Sequence, residues 1–218
     1  MKVYEATLIV DDFLYYASRE VGGGYIAPYI HNTALLYAIN NHIPEINRIA
    51  SGVKPFYEED YKFFTIYPTP AYLIEPTTHV KRTFNSVDEA IIFRALEKKI
   101  AVPKLIAYMS FPPLTKFRFY TVGGRGTRII RIGKKLIPAR VIYRELKVKK
   151  IGEGVFKPSH PVNPMHLKEH KILSAKVYPM PPVPLLLNST LKGKYILTEN
   201  NKYIIVPPQS VFSGISFE

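Results

Sequence analysis

The segment from Lys116 to Lys150 constrains the fold more than any other part of the chain. It holds twelve lysines and arginines against a single acid, Glu145. Its runs FRFYTV, IIRI and ARVIYREL mix apolar, aromatic and charged residues in strand-like fashion, and glycines 123, 124, 126 and 133 punctuate it. Such a pattern reads as two or three β-segments, over 116–122, 129–132 and 139–148, that form a projecting ribbon. One side can pack on a sheet; the other, carrying the cations, must face water or an anion.

The rest of the chain is close to neutral. Residues 1–115 carry 11 basic and 12 acidic side chains, and residues 151–218 carry 7 and 4. A basic stripe on a nearly neutral body is the footprint of a polyanion site. Lysine also guards exposed sheet edges, but guarding needs fewer charges and no bias toward arginine. Arg125, Arg128, Arg131, Lys134, Lys135 and Arg140 are therefore candidate phosphate contacts, with the glycines letting backbone amides approach phosphate oxygens. Tyr120 and Tyr143 flank the segment as candidates for stacking or for the core.

The chain of 218 residues fits one domain with a substantial core. It has no cysteine, which excludes disulfides, thiolate metal sites and a cysteine nucleophile. The N-terminus MKVYEATLIVDD reads as a strand, and no window approaches the roughly 18 uninterrupted apolar residues of a membrane span. We expect a soluble, cytoplasmic protein that uses no cofactor.

Near the front, Gly22–Gly24 open the backbone amid Ser18, Arg19, Tyr25, His31 and Asn32. Arg19 could clamp a phosphate and Tyr25 could stack on a base. The pattern is neither G-x-G-x-x-G nor a P-loop. Asn32 is the expected N-cap of a helix over 33–41, which Pro44 stops. Ser86 and Glu89 form a capping box for a second helix running to Lys99. Asn163 and Pro164 open a short helix in HPVNPMHLKEH, whose His166 and His170 have an H-x-x-E-H spacing, but the scaffold for a zinc site is missing. For RNA cleavage the candidate bases are His31 and then His79, against the simpler reading of structural histidines. Eight to ten strands and two helices in this order suit an α+β, ferredoxin-like sheet with a β-rich insertion.

Together, "SREVGGGYIAPYIHNTALLYAI", "YPTPAYLI", "FRFY" followed by "RIGKKLIPARV", and "HPVNPMHL" resemble one CRISPR-associated group. It is the type I-D effector-complex subunit of the RAMP superfamily that takes the place of the protein binding the crRNA 5′ handle. The resemblance runs from about Met1 to Leu167. It implies a single RAMP-type domain, with an RRM-like palm over about 1–115 and 151–218 and a β-hairpin thumb over about 116–150. It also implies a non-catalytic role, gripping the crRNA 5′ handle and capping the backbone filament of a surveillance complex. The implied partners are crRNA, the large subunit and the backbone subunits, with target DNA as a further candidate. Related handle-binding proteins process precursor crRNA, so a metal-independent endoribonuclease is the alternative. Ser18, Arg19, His31 and Asn32 at the front, and Arg131, Ile132, Gly133, Lys134 and Arg140 in the ribbon, match the group's motifs.

Overall fold

A computed structural model describes residues 1–16, 26–46, 57–86, 104–134 and 136–215. The first elements are β1 (Val3–Val10), β2 (Tyr29–Ile30), α1 (Asn32–Ile39), α2 (Tyr57–Asp60), β3 (Tyr67–Pro68), β4 (Ala71–Leu73), β5 (Val80–Ser86) and β6 (Lys104–Ser110). Then follow β7 (Lys116–Val122), β8 (Ile129–Ile132), β9 (Ile137–Leu146), β10 (Val148–Phe156), β11 (Lys171–Tyr178), β12 (Leu185–Thr198) and β13 (Tyr203–Ile205). The described residues are mostly β, with few helices. None of those helices is long and apolar enough to cross a membrane.

The main sheet runs β2-β4-β7-β1-β9-β8, with β3 also pairing to β7. Every described pair in it is antiparallel. The basic segment does not stand off as the ribbon its sequence suggests. β7 and β9 flank β1 on either side, so Ala6 lies opposite both Phe119 and Tyr143, and β8 forms the sheet edge beyond β9. The reason lies in β1 itself: VYEATLIV is too apolar to be left at an edge, and the strands that cover it are those with matching alternation, FRFYTV and ARVIYREL.

Alternation then assigns the faces. Ala6, Leu8 and Val10 share a fully buried cluster with Phe117, Phe119, Ala139 and Val141, capped by Leu35 and Ile39 of α1. Burying each large side chain contributes about 1.5–3 kcal/mol. Helix α1 is capped by His31, not by Asn32: the His31 ring nitrogen accepts from the Thr33 amide at 3.2 Å. At its end the Asn40 amide donates to Leu36 O and Ile66 O, both at 2.9 Å, and its oxygen accepts from Ile66 N at 3.2 Å. The helix expected over 87–99 lies outside the described residues, and Ser86 ends strand β5.

On the opposite face, Val3, Tyr120, Val122 and Leu146 pack against a second sheet of order β10-β12-β11, with β13 on β12. Phe156, Leu186, Leu191, Ile196 and Ile204 supply its side of that cluster, joined by Phe212 from the segment after β13. This second sheet covers only part of the face. The remainder stays open, and the basic residues collect there.

Candidate nucleic-acid interface

Directly opposed residues in an antiparallel sheet share a face, so the registers of the main sheet can be read as rows. One row holds Tyr120, Glu5 and Arg144; the next holds Tyr29, Tyr72, Arg118, Thr7 and Ile142. A third holds Lys116, Ile9, Arg140 and Ile129, with Arg131 two residues further along β8. Five cations thus converge on one surface: Lys116, Arg118, Arg131, Arg140 and Arg144. Between them lie Thr7, Ile9, and the exposed Ile142 (60%) and Ile129 (66%). An open sheet face with apolar side chains among guanidinium groups suits single-stranded nucleic acid, whose phosphates and bases alternate along the strand.

Carboxylates of the same chain hold four of these cations. Glu5, nearly buried, sits 2.8 Å from Arg144 and 3.8 Å from Arg118. Asp11 lies 2.7 Å from Arg140, and Glu75 lies 3.4 Å from Lys116. Arg125, Arg128 and Arg131 are exposed and have no carboxylate partner among the described residues. Arg131 instead donates to Leu136 O at 3.1 Å. Three acids against the five cations of this face leave it net positive, and the exposed Arg125 and Arg128 of the loop before β8 add to the charge nearby.

The other residues picked from the sequence separate. Arg125 and Arg128 lie in the loop before β8, and Lys134 is exposed in the β8–β9 turn, its ammonium 5.8 Å from the Tyr15 ring centre. Ser18, Arg19, Tyr25 and Lys135 lie outside the described residues. His31 and Asn32 are not on the surface. His31 is 5% exposed and caps α1, and Asn32 is fully buried. The Asn32 amide donates to His166 Nδ1 at 2.9 Å, and its oxygen accepts from Asn163 Nδ2 at 3.0 Å. Both were expected to touch RNA; in the structure His31 caps α1, and Asn32 ties α1 to the 3-10 turn Pro164–His166 and its cap Asn163.

The same network accounts for the H-x-x-E-H spacing. His166 is buried against Tyr67 and Phe212, while His170 bonds the Lys194 carbonyl at 2.7 Å. The described residues hold no cluster of His, Asp and Glu suited to a metal. Burial, reinforced by the charge of nearby His31, pushes the His166 pKa down to about 3; burial alone pushes His31 down to about 4. His79 is exposed, its ring 4.8 Å from that of Phe111. Tyr120 is fully buried, and Tyr143 sits edge-on to Tyr4 at 6.3 Å; neither offers an open stacking face.

Two of the glycines read as phosphate-facing are instead points of close self-contact. Gly123 has φ +97°, and a Cβ there would stand 2.5 Å from Thr65 O. At Gly133, with φ +78°, a Cβ would stand 2.7 Å from Tyr15 O. Both positions need the left-handed conformation and have no room for a side chain.

Sequence reasoning missed Tyr29 and Tyr72, which extend the Arg118 row toward the sheet edge. The available signal was a tyrosine one or two residues after a proline, in APYIH and TPAYLI.

Among solved structures, a CRISPR protein from Archaeoglobus fulgidus is similar at 14% identity, covering 95% of this chain and 100% of that one, with a TM-score of 0.45. A chain of the Type III-B Cmr-beta complex bound to cognate target RNA and AMPPnP is similar at 11% identity, covering 86% of each chain, with a TM-score of 0.48. No curated protein matches the sequence. The match that decides affiliation is to the family profile, which spans residues 1–213. With nearly its whole length matched, the chain belongs to the Type I-D CRISPR-associated protein Cas5/Csc1 family.

Proposed function

We propose that this chain is a non-catalytic RNA-binding subunit of a type I-D CRISPR effector complex and grips the crRNA 5′ handle across the open face of its main sheet. The observation that carries the reading is the convergence of Lys116, Arg118, Arg131, Arg140 and Arg144, from three strands of one sheet, around Ile129 and Ile142. Phosphates of a single strand are drawn to the guanidinium groups, and the isoleucines give its bases apolar contact.

Family membership supports a crRNA-associated role within an effector complex. The strand order β9-β1-β7-β4, with α1 between β1 and β4 in sequence, supports a ferredoxin-like palm in which β8 follows β7 and precedes β9 along the chain, where that fold has its second helix. The neighbours in such an assembly are the large subunit and the first backbone subunit, in the cytoplasm. Exposed Ile151, Val155, Ile172, Leu173 and Val177 on the second sheet provide apolar surface for them. The commitment of His31 to capping, at a pKa unsuited to a base near neutrality, supports a binding role over cleavage.

The test is the salt dependence of binding to the repeat-derived 5′ segment of a crRNA from the same locus. Each phosphate contact on a single strand contributes a slope of about −0.7 in log K against log salt. The double variant Arg131→Ala, Arg140→Ala binds more weakly, with a slope shallower by about 1.4. Unchanged affinity and slope would mean that the RNA does not cross this face.

A further inference from the structure

The row that carries Arg118 ends in a cleft of about 440 Å3 between the two sheets. Tyr72, opposite Arg118, and Tyr29, opposite Tyr72, form one wall. Tyr178 closes behind Tyr29, with the two rings edge-on at 5.0 Å. Across the cleft stand His160, Pro158 and Asn188.

The chemistry of these walls is specific. His160 keeps both ring nitrogens occupied, Nδ1 2.7 Å from Pro161 O and Nε2 accepting from Ile205 N at 3.4 Å. It therefore presents an uncharged aromatic ring. Asn188 is exposed in the left-handed conformation, φ +48°, and its amide has no hydrogen-bond partner among the described residues. Among the described residues no cation or carboxylate lines the cleft. A free anion finds nothing to hold it there, and a charged side chain of a partner would go unpaired. A flat, uncharged ring with donors and acceptors on its edge fits: aromatic walls for its faces and a free amide for its edge. The adjoining residue on the row is Arg118, on the strand next to that of Tyr72, the two backbones lying about 4.8 Å apart. A ligand that joins a neutral heterocycle to a neighbouring anion is a nucleotide.

We propose that this cleft receives one unstacked base of the RNA bound on the open face, with Asn188 reading its edge and Arg118 holding the flanking phosphate. The proposal rests on the RNA-binding reading given above and adds to it a site of base selectivity.

The experiment uses the full chain and the same crRNA 5′ segment, with an abasic residue placed at each position in turn. For the unmodified chain, one position loses about ten-fold in affinity and the others lose little. Asn188→Gly suits the backbone and removes the amide. It weakens binding of the intact RNA and abolishes base preference at that one position. In Tyr72→Ala the abasic change at that position costs less than two-fold. If every abasic position behaves alike in the unmodified chain, or if Asn188→Gly retains full affinity and preference, no base enters the cleft, even though RNA is bound. If the unmodified chain binds none of the RNAs, the RNA reading itself falls and this proposal with it.

Discussion

Lowering the pH from 7 to 5 strongly destabilises this protein through three histidines that the fold keeps neutral. Burial pushes His31 and His160 down to about 4, and burial with the nearby His31 charge pushes His166 down to about 3. In the unfolded chain each titrates near 6.5. The folded values are depressed, so the unfolded chain binds more protons below pH 6.5, and stability falls as pH drops through that value toward 4. At 1.36 kcal/mol per pH unit, protonation at pH 5 favours the unfolded state by about 2 kcal/mol per histidine. Three such groups sum to about 6 kcal/mol, comparable to the whole stability of a marginal domain. For a chain of this size each kcal/mol moves Tm by about 2–4 °C, so the fall is on the order of 15 °C. Far-UV circular dichroism melts of RNA-free protein at pH 7, 6 and 5 read this directly. His42→Asn, at an exposed position, leaves the profile unchanged. A Tm that holds within a few degrees over that range would show that these rings are not buried and neutral, and would undo the assignment of His31 and His166 to structural roles.

Two further substitutions test the frame around the open face. Gly123→Ala forces a Cβ to within 2.5 Å of Thr65 O at a left-handed position; it costs about 3 kcal/mol in urea unfolding, and a loss under 1 kcal/mol would contradict that geometry. Asn40→Ala strands Ile66 N and Ile66 O, which the side chain now satisfies, while Leu36 O keeps the Asn40 backbone N–H at 3.1 Å. The expected loss is about 3 kcal/mol, with amide exchange fastest at the end of α1; an unchanged midpoint would show that these bonds are not made.

The local elements were legible in the sequence. The expected strands 116–122 and 129–132 match β7 and β8, and 139–148 overlaps β9, because alternation is a local signal. The helix expected over 33–41 appears as Asn32–Ile39. What alternation does not encode is the partner of each strand. Nothing in FRFYTV or ARVIYREL says that β1, more than a hundred residues away, lies between them. The candidate site was legible in its charge and not in its membership. Lys116, Arg118 and Arg144 join the face only through register. His31 and Asn32 looked functional because polar residues beside a glycine run resemble a binding loop. Their burial depends on Asn163 and His166, which approach only after folding. Glu5, Asp11 and Glu75 carry no sign in the sequence that they will sit beside the basic strands.

Those three acids do more than subtract charge. A long, solvated arginine samples many rotamers, and a ligand that captures one must immobilise it, at about 0.5–1.5 kcal/mol per side chain. Arg144 and Arg140 are already extended against Glu5 and Asp11 before any RNA arrives. Part of their disorder is thus surrendered during folding and need not be surrendered again on association. An incoming phosphate meets side chains already ordered along the sheet, as on a template set in advance.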